Sequence, residues 1–229
     1  MTITTTKLTR AAGLSAVVAG LLFILVQINH PHLDATFVTT TEWTVRQTMK
    51  VFMTVLALVG FTGMYLRQVK QTGILGLLGY ILAGAGYLLM MSIEVIGVVV
   101  LPAIAHSAPG YVTDVLAVVT GGTATGDIGL MQQLILLSGV GYVLGGLVFG
   151  IALFRADILA RWAAVLLAVS TVATLAIPLL PQVNQRLFAI PNAVALIGLG
   201  YSLWREQRTP APQPTASPVS SKLDPVGAK

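Results

Sequence analysis

Glu94 lies within one of this chain's apolar stretches and Asp127 at the start of another, and a carboxyl desolvated at the level of the lipid can acquire the raised pKa that a general acid or base needs. They are the candidate catalytic residues. A second constellation, His30-Pro31-His32-x-Asp34, places two imidazoles two positions apart in an extended segment, where both can turn toward one ion, with His106 or Asp127 completing the shell. Pro31 equally well ends a helix and caps an interface, so no resident metal is expected from His30, His32 and His106. With Cys 0, disulfides, zinc–thiolate sites and thiol catalysis are excluded, and no nucleophile elbow, phosphate loop or metalloprotease helix is present. No cofactor is expected, and the balance leans away from an enzyme.

The elements that must hold these residues are apolar. Runs at 11–28, 51–66, 73–104, 128–154, 162–180 and 187–204 contain a single charged side chain, Glu94. About 20 apolar residues in a helix cross the roughly 30 Å hydrocarbon layer, and in lipid the backbone must satisfy its own hydrogen bonds. With charged residues at 9% and hydrophobic ones at 55%, a water-soluble globule of 229 residues lacks the polar groups to cover its surface. The first run follows Lys7 and Arg10 as a signal peptide would, but no small-x-small cleavage pattern follows it, so it reads as a retained span. The expected fold is all-α, a polytopic membrane bundle of six transmembrane helices at about 11–29, 43–66, 73–101, 127–154, 161–180 and 187–204. Residues 1–208 form one domain, and the Pro-, Ala- and Ser-rich 209–229 reads as a disordered cytoplasmic tail. Residues 111–119 fit a short helix lying at the interface.

Thirteen Lys and Arg residues set the expected orientation. With the N-terminus inside, Lys7, Arg10, Arg67, Lys70, Arg155, Arg161, Arg205, Arg208, Lys222 and Lys229 are cytoplasmic, against Arg46, Lys50 and Arg186 outside. Both termini then lie inside. A basic face against anionic headgroups accounts for the net charge of +5, so membrane lipids rather than nucleic acid are the expected partner.

An ionisable group within an apolar run normally has a partner. Arg46 and Glu94 stand equally far from the turn joining their two helices, which predicts an ion pair between them. Glu42 and Lys50, on the Arg46 stripe, extend this to a four-membered network, and Thr39 with Glu42 fits a capping box that starts the helix. Polar residues gather at the same side: Gln27, Asn29, Gln132, Gln133, Gln182, Asn184. The other half is almost wholly Gly, Ala, Val and Leu, so a pocket is expected to open outward, a binding vestibule of Arg46, Lys50, Glu94 and Gln133 with Asn192 at its floor. Gly141, Gly145, Gly146 and Gly150 make small-residue pairs suited to packing within the monomer or to a homodimer.

The string Gly63-Met64-Tyr65-Leu66-Arg67-Gln68-Val69-Lys70-Gln71-Thr72-Gly73, continued to Tyr80, resembles the central hairpin of a family of uncharacterised small six-helix bacterial integral membrane proteins, a domain of unknown function. Phe154-Arg155-Ala156-Asp157-Ile158-Leu159-Ala160-Arg161-Trp162-Ala163 and Leu199-Gly200-Tyr201-Ser202-Leu203-Trp204-Arg205 are similar too, and the likeness runs over about 8–208. It implies the six-span fold and a bacterial cytoplasmic membrane, with no activity, substrate or catalytic residue. Three functions remain open: a non-enzymatic accessory or sensor protein, a small-molecule transporter or permease subunit, and a membrane-embedded enzyme using Glu94 on a lipid-like substrate.

Overall fold

In a computed structural model, which describes residues 2–29, 31–179 and 189–206, the chain is helical throughout its regular structure. Helix α1 (Thr5–Gln27) starts where the Thr4 hydroxyl accepts the Lys7 N–H at 3.3 Å. Asp34 then organises a 3-10 turn, Phe37–Thr39, by accepting the backbone N–H groups of Thr36 and Phe37. Helix α2 (Thr41–Arg67) begins at Thr40, whose hydroxyl accepts the Trp43 N–H at 3.2 Å. The cap is therefore Thr40 and not Thr39, because the helix begins one residue later, at Thr41, and puts the Trp43 N–H within reach of the Thr40 hydroxyl. Helix α3 (Val69–Val99) opens with one turn that breaks at Gly73, whose φ of 56° and ψ of −146° suit a residue without a Cβ. The short α4 (Leu101–Ile104) and α5 (Pro109–Val119) follow, the latter spanning the expected interfacial segment.

Helix α6 (Met131–Ala156) ends at Asp157 in the left-handed conformation, and α7 (Arg161–Ala173) tightens into a 3-10 segment, Thr174–Leu179. The expected continuous span 161–180 is thus only partly α-helical. Pro178 lies in this segment and has no N–H for the Thr174 carbonyl, a bond that an α-helix continued to 180 would need. The last helix, α8, runs Ala189–Glu206. Among the described residues four helices, α1, α2, α3 and α6, are long and apolar enough to cross a membrane. Their outward faces carry large apolar side chains, with Phe52 60% and Ile74 78% exposed, a surface suited to lipid and not to water.

Six helices close a ring in the order α1, α2, α3, α6, α7, α8, with α8 returning to α1. The chain alternates direction around it, so Lys7, Arg10, Arg67, Lys70, Arg155, Arg161 and Arg205 share one basic end. That end is tied by an Arg67–Glu206 pair between α2 and α8, by Arg10 lying 5.9 Å over the Trp204 ring, and by the Ala160 N–H donating to the Ser202 hydroxyl at 3.0 Å. The opposite end is covered by an apolar cluster that joins Val38, Trp43, Leu101, Val112, Val115 and Met131.

Small residues set the spacing of the ring. A Cβ on Gly86 would lie 2.5 Å from the Gly141 carbonyl carbon, so α3 and α6 meet backbone to backbone. Of the two uses expected for the α6 stripe, packing within the monomer or a homodimer, the structure shows packing within the chain: Gly141 and Gly145 face α3, and Gly146 and Gly150 face Thr171, Ala164 and Ala168 of α7. Ala12 and Ala16 likewise face Gly63 and Gly60 of α2, and Gly20 faces Ala193 of α8.

Gly141→Ala would place a methyl 2.7 Å from the Gly86 Cα, whereas a Cβ on Gly139 of the same helix meets nothing within 4 Å. The first substitution should cost about 1–3 kcal/mol, and Gly139→Ala should be neutral or gain up to about 1 kcal/mol. Unfolding midpoints of the two variants in detergent check this, and matching shifts would refute the close contact.

Candidate functional site

The polar residues near the outer end of α2 divide by azimuth. Trp43, Lys50, Ala57 and Met64 recur every seven positions, and the three apolar members are at most 3% exposed, so this stripe points into the ring. Lys50 therefore projects inward. Its ammonium lies 3.5 Å from Glu94 Oε2, which also accepts a 2.6 Å hydrogen bond from Gln47 Nε2. The Lys50 and Glu94 side chains are only 18% and 13% exposed, so the pair is screened far less than a surface one.

Arg46 is not Glu94's partner. Its guanidinium sits on the opposite flank, pairing with Glu42 at 2.7 Å and donating to the carbonyls of Val26, Ile28 and Asn29 at 2.9, 3.1 and 3.2 Å. There it caps the C-terminus of α1, where orphan carbonyls and the helix dipole favour a cation. The depth inferred for Glu94 holds to within a turn, since Trp43 Nε1 donates to the Gly97 carbonyl at 2.7 Å on the same interface. One position along a helix turns a side chain by about 100°, so Gln47 meets α3 while Arg46 meets α1. The four-membered network accordingly resolves into two separate clusters.

Seven residues below Glu94 on the same face of α3 is Tyr87, roughly 10 Å deeper. Its hydroxyl lies 3.4 Å from Asn192 Nδ2, an interaction that spans the ring from α3 to α8. Tyr142 of α6 lies against Tyr87 with ring centroids 5.9 Å apart. Asn192 is fully buried, and among the described residues the buried side-chain atoms without a hydrogen-bond partner are Asn192 Oδ1 and the two amide atoms of Gln68. The chain matches no family model, no curated protein and no solved structure. Below the Tyr87 level the interior closes: Phe61 meets Tyr87 edge-on at 5.0 Å and Phe149 at 5.7 Å, above fully buried Leu153, Leu196, Leu199 and Leu203.

The remaining candidates are not brought to this place. Gln133 is exposed on α6, and Asp127 is exposed and accepts the Gly129 N–H at 2.7 Å, so it forms no acid–base pair with Glu94. His32 and His106 are exposed, and His30 lies outside the described residues, as do Gln182, Asn184, Arg186 and the tail from 209. Among the described residues no three His, Asp or Glu side chains gather as a metal shell. Asp34, the fourth member of the histidine motif, serves its own turn, and the Thr36 hydroxyl and the Phe37 N–H hold its carboxyl below the usual 3.8. A groove of about 480 Å³ between α1 and α2 borders Arg46, but its walls are chiefly Leu25, Val26, Ile28, Val45 and Met49, and it faces away from the ring.

Gln47, Tyr87 and Asp114 matter here and were not singled out in the sequence. The heptad Tyr80, Tyr87, Glu94 was the available signal for the second of them. Asp114, on α5, fastens the segment after that helix by accepting from the Thr125 N–H and hydroxyl and from the Gly126 N–H, each at 2.9 Å. Those bonds, the Thr125 N–H first, favour the carboxylate and hold its pKa below 3.8. The loop rather than an apolar core covers it, so hydrogen bonding and not desolvation sets the direction.

Coupling in double-mutant cycles separates the two pairings. Glu94→Gln with Lys50→Met should deviate from additivity by more than about 0.5 kcal/mol, while Glu94→Gln with Arg46→Gln should add within that margin. Unfolding in detergent measures both, and the reverse pattern would restore the Arg46 pairing. For Asp114 the depressed folded pKa contributes stability that is complete above 3.8 and lost as pH falls through the lower folded value. The midpoint difference between the unsubstituted protein and Asp114→Asn should thus be constant above that pH and shrink below it; a difference that grows on acidification would contradict the assignment.

Proposed function

We propose that this is a six-span, multi-pass protein of a bacterial cytoplasmic membrane with both termini inside, acting as a non-enzymatic accessory or sensor protein through an outward-facing polar vestibule. The carrying observation is the inward Lys50–Glu94 pair standing above the Tyr87–Asn192 contact, over an interior filled by Phe61, Phe149 and leucines. A vestibule above these residues would end at that level. A transporter needs a polar path onward through the inner half, and an enzyme reading needs Glu94 free to exchange protons, whereas Glu94 is held by Lys50 and Gln47.

The orientation is supported by the basic end, where Lys7, Arg10, Arg67, Lys70, Arg155, Arg161 and Arg205 lie together, while Arg46 and Lys50 lie toward the other. The two shorter helices, α7 and α8, complete the ring as the fifth and sixth spans, in keeping with the resemblance to small six-helix bacterial membrane proteins. The apolar outer faces take membrane lipids as partner.

The chain has Cys 0, so single cysteines report accessibility directly. A membrane-impermeant maleimide applied to intact cells should label Ser107→Cys, and should reach Gln71→Cys only after permeabilisation. A small methanethiosulfonate cation should modify Lys50→Cys from outside and not from the inner face of inverted vesicles. Labelling of Lys50→Cys from both faces would replace the sensor reading with transport.

A further inference from the structure

The groove of about 480 Å³ on the outside of the ring, between the end of α1 and the start of α2, differs from one end to the other. Leu25, Val26, Ile28, Val45 and Met49 make its walls apolar, and Leu25, Ile28 and Val45 are each about half exposed. Thr41, Glu42 and Arg46 border it near the helix ends. Met49 is seven residues from Glu42, roughly 10 Å further along α2. A hydrocarbon chain carrying a polar group at one end matches that layout, and beside a membrane span a lipid supplies both.

The polar end has a sign. A guanidinium carries five N–H donors, and Arg46 makes five contacts: to Glu42 Oε1 from Nε at 2.9 Å and from a terminal nitrogen at 2.7 Å, and to the carbonyls of Val26, Ile28 and Asn29. Its donors are therefore all used within the fold, and a phosphate gains little by approaching it. Glu42 is different. Its side chain is 51% exposed, both Arg46 contacts fall on Oε1, and among the described residues nothing donates to Oε2. The groove thus ends in an open carboxylate oxygen, an acceptor suited to a cation with N–H groups.

Headgroup chemistry then discriminates. A phosphoglycerol headgroup brings net negative charge to Glu42, and a choline brings positive charge but no N–H. A primary ammonium brings the charge and three donors together. The Thr41 hydroxyl, on the same border, can donate to the adjoining phosphodiester.

We propose that this groove is a binding site for a phospholipid with a primary ammonium headgroup, of the phosphatidylethanolamine class, with one acyl chain along Leu25, Val45 and Met49 and the ammonium on Glu42 Oε2. The inference rests on the membrane reading and on neither the vestibule nor the orientation, since the groove faces away from the ring.

The test uses the purified full chain in detergent and native mass spectrometry of its lipid adducts, with phosphatidylethanolamine, phosphatidylcholine and phosphatidylglycerol of identical dioleoyl chains. Phosphatidylethanolamine should bind about threefold or more tightly than either of the others, the range of a half-exposed ion pair. Glu42→Gln, shown folded by circular dichroism and gel filtration, should erase its advantage over phosphatidylglycerol. Val45→Trp, which places an indole in the groove, should weaken phosphatidylethanolamine by a similar factor, while Leu144→Trp on the exposed face of α6 should not. Equal affinities for the three lipids, an advantage retained in Glu42→Gln, or equal effects of the two tryptophans would overturn the proposal in favour of ordinary boundary lipid. Should Glu42→Gln not fold, the two tryptophan variants decide by the same criterion. Cell fractionation is a separate result: a chain found with the membranes but lacking the headgroup preference loses this site and keeps the membrane reading.

Discussion

Backbone-to-backbone approach is the constraint on which this structure depends. In lipid the hydrophobic effect does not press helices together, so van der Waals contact must, and it is strongest where side chains are absent. The α3–α6 seam at Gly79, Gly86, Gly141 and Gly145 and the α1–α8 seam at Gly13, Gly20 and Gly200 stand on opposite sides of the ring and draw it closed. Closure at that radius is what brings Tyr87 of α3 within reach of Asn192 of α8. A wider ring would part them and open the interior.

Within the closed ring the polar groups are separated by role. Arg46 and Arg67 are tied across helices, the first finishing α1 and the second joining α2 to α8, both near the rims. Lys50, Glu94 and Gln47 face the interior, where a low dielectric strengthens their mutual attraction and makes any unmatched member costly. Asn192 is the member left incompletely matched. The rest of the interior is aromatic and aliphatic, down to the stacked Tyr65 and Tyr80 rings at 4.8 Å.

Much of this was legible along the chain. The helices α1, α2, α3 and α6 follow from apolar length alone, and the short helix expected over 111–119 is present as α5. Two boundaries moved for local reasons: a neighbouring hydroxyl took the α2 cap, and Pro178 has no N–H with which an α-helix could continue to 180. The site was half legible. Residue depth can be counted from a turn, because the rise per residue is fixed, and Glu94 does lie at the level where Gln47 and Lys50 meet it.

Azimuth is different in kind. Which of Arg46 and Gln47 turns toward α3 depends on which flank of α2 the third helix occupies, and that is set by how all six helices pack. The sequence by itself determined the apolar helices, their expected alternation and the level of the buried charges, since hydrophobic length and helical rise are local quantities. Only the tertiary structure decided that Lys50 holds Glu94, that Arg46 caps α1, that the glycine stripe of α6 is filled from within, and that Tyr87 faces Asn192 across the ring. Those contacts join residues whose separation in sequence carries no information about the angle at which their helices meet.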